Sequence, residues 1–66
     1  MVYENVKRLA DAQGMSIRAV EIKAGLANGA ISNWQKNSPL AVNLAAVAKV
    51  LHTTVETLLT EREEDE

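Results

Sequence analysis

Cysteine is absent from the 66-residue sequence, which has one proline, three glycines and two aromatic residues, Tyr3 and Trp34. Without thiols the chain has neither disulfides nor thiolate metal ligands. A chain of this length forms at most one small domain, so its core has to come from packed aliphatic side chains. These are abundant: hydrophobic residues make up 47% of the sequence and are mostly Ala, Val, Leu and Ile. This composition favours helices.

Long apolar runs are also missing. No stretch reaches the roughly 18 apolar residues that a membrane-spanning helix requires, and the N-terminus lacks the charged-then-apolar order of a signal peptide. We therefore expect a cytoplasmic protein. The net charge is only −2, but it is unevenly distributed. Residues 61–66, EREEDE, carry −4 and are expected to form a solvated, disordered tail. Residues 1–60 carry +2 and form the predicted domain.

Few residues are suited to catalysis or metal binding. The chain has one histidine, His52, three serines and scattered acids, and none of them converge by spacing. We expect His52 to interact with the end of a helix. The acidic run could be a metal-binding tail, but such runs are usually just solvated. There is no glycine-rich phosphate loop. The sequence therefore predicts no enzyme, no cofactor and no metal site.

Apolar spacing predicts five short helices and no strand. Gly14 and Gly25 are placed to end the first two helices, and Ser16 to cap the second. Thr53 with Glu56 forms a capping box for the fifth, although Thr54 is also a plausible cap. We expect Leu40 to lie on the buried stripe of the fourth helix and Leu59 to be buried in the fifth. The predicted helices cover about residues 2–13, 17–24, 27–36, 41–51 and 55–60.

The third predicted helix has two contrasting sides. Its apolar side includes Ile31 and Trp34, and we expect Trp34 to be a core residue rather than a base-stacking one. Its other side has amides, a hydroxyl, a glycine and a lysine but no acid, which suits the major groove of DNA because Asn and Gln can pair bidentately with adenine. Composition alone slightly favours an ordinary neutral polar surface. The polar side consists of Asn28, Gly29, Ser32, Asn33, Gln35 and Lys36.

Two short helices joined by a glycine-bearing turn are the geometry of a helix-turn-helix. From Ser16 to Leu59 the sequence resembles the Cro and lambda-repressor-like helix-turn-helix family, also called the XRE family, and is closest in wording to repressors of Gram-positive phages and prophages. The resemblance is carried by Gly25 at the turn, the segment GLANGAISNWQKNSP, the helix NLAAVAKVL, the ending TVETLL, and apolar residues at Val20, Ala24, Leu26, Ile31 and Trp34.

The resemblance implies an all-α, five-helix DNA-binding domain over residues 1–60, in which helices 2 and 3 form the helix-turn-helix. It implies that helix 3 enters the major groove of operator half-sites and reads bases through Asn28, Gly29, Ser32 and Asn33. It assigns DNA-backbone contacts to Ile17, Arg18, Lys36, Asn37, Ser38 and Asn43.

Three residues depart from the family pattern. Ile17 replaces a common Gln, Ala27 replaces the usual Ser or Thr cap of helix 3, and Glu21 stands where most members have Ala. The last two can be connected, because a Glu21 carboxylate could accept hydrogen bonds from the free amides at the start of helix 3. Alternatively, Glu21 points to solvent or pairs with Arg18.

The predicted function is sequence-specific binding of double-stranded operator DNA by a transcriptional regulator, most simply a repressor. A homodimer is expected because one short recognition helix discriminates little and half-sites are usually paired. The expected dimer surface is the connection between the fourth and fifth helices together with the fifth helix, which carries Leu58 and Leu59. One alternative is a protein-interaction module of the same fold without DNA binding, which the acidic tail favours. Another is the antitoxin of a toxin–antitoxin pair.

Overall fold

The computed structural model describes residues 2–60, which form four α-helices and one 3₁₀ helix, with no β-strand in that range. The all-α class predicted from the sequence is therefore confirmed for these residues. The predicted acidic tail, residues 61–66, lies outside them. In chain order the elements are α1 (Val2–Ala12), α2 (Ile17–Ala24), the 3₁₀ helix (Ser32–Gln35), α3 (Ala41–Val50) and α4 (Val55–Leu59).

The ends of α2 follow from its capping residues. The backbone amide of Ala19 donates to Ser16 Oγ at 3.0 Å, which satisfies one of the free amides of the first turn. At the other end, Gly25 has φ +77° and the Leu26 amide donates to the Glu21 carbonyl at 2.8 Å. This left-handed ending favours glycine. Both predicted signals are confirmed.

The caps of α3 and α4 differ in part from the prediction. Thr54, not Thr53, caps α4: its Oγ1 accepts from the Thr57 amide at 3.0 Å. His52, just after α3, has φ +57° and is the only non-glycine residue with positive φ among residues 2–60. The Thr53 amide donates to the Ala48 carbonyl at 2.9 Å, so this helix ends as a glycine-capped helix does, but with a histidine at the left-handed position.

The third predicted helix, about residues 27–36, is wrong as a continuous α-helix. Turns occupy residues 28–31 and only Ser32–Gln35 are regular, as a 3₁₀ helix. Gly29 has φ +88°, which no α-helix contains, and an Asn-Gly pair readily forms such a turn. Several amides donate three residues back, as Trp34 does to the Ile31 carbonyl at 2.9 Å, so the segment is wound more tightly than an α-helix.

The hydrophobic core draws on every element. Trp34 is only 7% exposed, so its predicted core position is confirmed. Leu40 is 67% exposed because it precedes the first turn of α3 with extended backbone, and Leu59 is 55% exposed because α4 turns Leu58 inward instead. Both predictions of burial were wrong. The buried hydrophobic residues are Val6, Ala10, Val20, Ile31, Trp34, Leu44, Val47, Ala48, Leu51 and Leu58.

Two side-chain amides join distant parts of the chain. Asn5 of α1 is buried, and its Nδ2 donates to the carbonyls of Leu58 at 2.8 Å and Thr60 at 2.9 Å. Gln13 Nε2 donates to the Leu51 carbonyl at 2.7 Å. Three carbonyls at the ends of α3 and α4 thus gain donors, two from Asn5 of α1 and one from Gln13 just after it. None of these contacts was predicted from the sequence.

Candidate nucleic-acid interface

The segment that joins α2 to α3, residues 26–40, is anchored by a buried carboxylate. Glu21 of α2 is 2% exposed. Its Oε1 accepts from the Gly29 amide at 3.2 Å and its Oε2 from the Ile31 amide at 3.0 Å. Ala27 has no side chain that could make such a bond. The predicted capping role of Glu21 is therefore confirmed, although it caps turns rather than an α-helix.

Arg18 approaches the same carboxylate from the solvent side. Its Nη1 lies 3.4 Å from Glu21 Oε1, and its side chain is 51% exposed. The pairing predicted as an alternative to capping thus coexists with it. The distance marks a weak hydrogen bond, since charged N–H···O bonds are usually near 2.8 Å. Arg18 consequently offsets the charge of Glu21 while remaining accessible to another anion.

Two buried apolar side chains attach the joining segment to the hydrophobic core. Ile31 is fully buried and Trp34 nearly so, and they flank Ser32 and Asn33, which are exposed. Because these two side chains point into the core, the two residues between them lie on the surface. The four predicted base-contacting residues, which are all exposed, are Asn28, Gly29, Ser32 and Asn33.

The residues predicted to contact the DNA backbone are divided between three elements. Lys36, Asn37 and Ser38 are exposed and directly follow the 3₁₀ helix. The Nδ2 of Asn37 donates to Asn33 Oδ1 at 3.2 Å, which joins this group to the base-contacting group. Asn43 is half-buried in the first turn of α3, and Ile17 packs partly buried against the core. The side chain of Ile17 is apolar, so this residue could contact a phosphate only through its backbone amide.

The charges in residues 22–55 are of one sign. Residues 22–55 contain no Asp or Glu, whereas Lys23, Lys36 and Lys49 in this range are exposed. The nearest acid in sequence, Glu21, is buried against two amides and a guanidinium. Residues 22–55 therefore offer an anion amides, hydroxyls and cations but no carboxylate.

The described residues offer little for other chemistry. Within residues 2–60 no three His, Asp or Glu side chains are grouped so that they could hold a metal ion. A shallow open depression lies between the start of α1, the end of α4 and the joining segment. It is lined by Val2, Trp34, Gln35, Lys36, Asn37, Ser38, Pro39 and Leu59.

No helix within residues 2–60 has both the length and the apolar composition that crossing a bilayer requires.

The sequence predicted the side chains of this candidate interface but not the conformation of their backbone. Apolar spacing did not predict that Gly29 adopts φ +88° where its own amide and that of Ile31 donate to one carboxylate. The Asn-Gly pair at residues 28 and 29 was the sequence feature that could have predicted this turn.

Neither a protein-family model, nor a curated protein sequence, nor a solved structure matches this chain.

Proposed function

We propose that this protein is a sequence-specific DNA-binding regulator, most simply a repressor, that contacts base edges in the major groove with its joining segment. The observation that carries the proposal is the exposed, acid-free set Asn28, Ser32 and Asn33. These side chains stand on a segment held by buried Ile31, Trp34 and Glu21. Polar groups on a fixed support can recognise a pattern of donors and acceptors with little loss of conformational entropy.

The side-chain types favour bases over a general polar surface. Asparagine pairs bidentately with adenine through N6 and N7, and serine can donate to or accept from several base edges. The exposed base-contacting set has no arginine, the residue that most often reads guanine. The contacted base pairs should therefore be rich in A·T.

Cations and amides next to this set supply the contacts to phosphate. Lys36, within the joining segment, and Arg18, on α2, are both exposed. Phosphate contacts of this kind fix the register of a protein on DNA. The side chains of Asn37, Ser38 and Asn43 can donate hydrogen bonds to phosphate, and Ile17 can offer its backbone amide at the start of α2.

In this function, α2 and residues 28–35 form the two halves of a lambda-repressor-like helix-turn-helix. Residues 28–35 consist of turns and one short 3₁₀ helix and offer few side chains to the groove. Binding as a homodimer to paired half-sites would compensate for this. Exposed Leu59, at the end of α4, favours that part of the surface for the dimer contact.

A selection of bound sequences from a random duplex pool tests the proposal directly. We expect an enriched A·T-rich motif, and an affinity for the enriched duplex that falls steeply with salt as phosphate neutralisation releases counterions. Absence of enrichment, with no salt-dependent binding, would reject the proposal.

A protein-interaction module is the second candidate. It is favoured by large apolar side chains that are exposed on three helices or their caps, namely Ile22, Leu40, Val42 and Leu59. Such a module would bind its partner with little dependence on salt and would show no DNA affinity. The same salt titration therefore separates the two candidates.

A further inference from the structure

We infer that Glu21 is a positioning residue for base discrimination, because its carboxylate sets the conformation of the turn that presents Asn28. This inference rests on the proposed DNA-binding function and deepens it. Glu21 is buried and would not touch DNA itself. Its effect on recognition would pass entirely through the backbone of residues 28–31.

The geometry shows how one side chain can fix this turn. The two carboxylate oxygens accept from two amides that are two residues apart, Gly29 at 3.2 Å and Ile31 at 3.0 Å. Holding both amides fixes the orientation of the peptide units around Ala30 relative to α2. Asn28 immediately precedes the first of these amides, so the direction of its side chain depends on the same two bonds.

Only a carboxylate of this length satisfies both amides. The side chain of Gln has the same shape but one acceptor oxygen and one NH₂ group, which would face an amide donor with another donor. In Glu21→Gln one of the two bonds is therefore lost, while the volume of the side chain is kept. In Glu21→Asp the charge is kept, but the side chain is shorter by one methylene.

Arg18 explains how a buried negative charge is compatible with a polyanionic partner. Its guanidinium lies 3.4 Å from Glu21 Oε1 on the solvent side. A phosphate that binds Arg18 would approach the cation rather than the carboxylate. Arg18→Gln should therefore weaken binding to all duplexes similarly, whereas Glu21→Gln should act on the preference between them.

The test measures wild type, Glu21→Gln and the control Thr54→Ala under conditions where each is folded. Thr54→Ala removes the cap of α4, where Thr54 Oγ1 accepts from the Thr57 amide and donates to Thr57 Oγ1, and so removes hydrogen bonds away from the joining segment. Two quantities are read: amide hydrogen exchange in the free protein, and the ratio of dissociation constants for scrambled and selected duplexes. If Glu21→Gln does not fold, Glu21→Asp is measured against the same control.

We expect Glu21→Gln to speed exchange at Gly29 or Ile31 by about tenfold more than Thr54→Ala does. The affinity ratio should fall by about fivefold or more, which is the loss expected when one base contact is misplaced. Affinity for scrambled duplex should stay within about twofold of wild type, because phosphate contacts carry it.

Exchange and affinity ratios that match those of Thr54→Ala would overturn the inference. Faster exchange with an unchanged ratio would overturn it too, since Glu21 would then be a structural cap only. A wild-type protein that prefers no sequence would instead reject the proposed function. That failure is distinguishable because the exchange measurement contains no DNA.

Discussion

Trp34 is one of the buried residues that attach the joining segment to the core. It is 7% exposed and packs in the core beside fully buried Ile31. Truncating a large buried aromatic side chain leaves a cavity that the surroundings fill only in part. Trp34→Ala should therefore lower the free energy of unfolding by about 3–5 kcal/mol, measured by circular dichroism during urea denaturation.

The neighbouring exposed residue provides the control for this change. Gln35→Ala should alter stability by less than about 0.5 kcal/mol, as exposed substitutions usually do. A Trp34→Ala protein with normal stability but impaired DNA binding would mean that the indole acts at the surface.

Asn5 shows where residue-level prediction from the sequence ends. Its position three residues after Val2 and four before Leu9 places it on the apolar stripe of α1, so a buried polar side chain could be expected there. Its partners could not, because the carbonyls of Leu58 and Thr60 come from the other end of the chain. Glu21 was predictable because its partners lie close in sequence and Ala27 leaves their amides uncapped.

The element ends that the sequence predicted are those determined by local chemistry. The bounds of α2 agree with the prediction, and the other three α-helices each end one residue earlier than predicted. The third helix could not be predicted correctly from periodicity. A spacing of three residues, as between Ile31 and Trp34, puts both side chains on the same side of an α-helix and of a 3₁₀ helix alike. Apolar spacing indicates which side of a segment is buried. It does not indicate whether the backbone amides donate three or four residues back, which is what distinguishes a 3₁₀ helix from an α-helix.

The end of α3 gives a prediction at the scale of an element. His52 has φ +57°, where a side chain with a Cβ is strained and glycine is not. His52→Gly should therefore stabilise the protein by about 0.5–1 kcal/mol in thermal or urea denaturation, the relief of strain being partly offset by a more flexible unfolded chain. Thr53→Gly is the matched control and should destabilise, because Thr53 does not have positive φ.

Lowered stability of His52→Gly would contradict this account of the helix end. It would show that the imidazole contributes more to the end of α3 than its backbone conformation costs.

At the scale of the whole molecule, the sequence predicted the helical class and the core position of Trp34, because both follow from apolar spacing. It did not predict that Leu40 and Leu59 would remain exposed. Burial at the ends of short helices depends on whether another element covers them, and that is a property of the assembled chain.

The distribution of charge predicts how the affinity of the protein for DNA changes with salt concentration. If Lys36 neutralises one phosphate, Lys36→Ala should weaken binding to all duplexes alike and reduce the slope of log affinity against log salt by about one. Lys7→Ala is the control, because Lys7 is paired with Asp11 at 3.1 Å on α1 and should leave the slope unchanged. Equal slopes for Lys36→Ala and wild type would remove Lys36 from the DNA contact.

The central claim is that the joining segment reads bases, and Asn28→Ala tests it most directly. The measurement is the affinity of wild type and Asn28→Ala for the selected duplex and for its single-base-pair variants. We predict that Asn28→Ala loses about 1–3 kcal/mol on the selected duplex and loses its preference at one base pair. Unchanged affinity and unchanged preference at every position would contradict the claim.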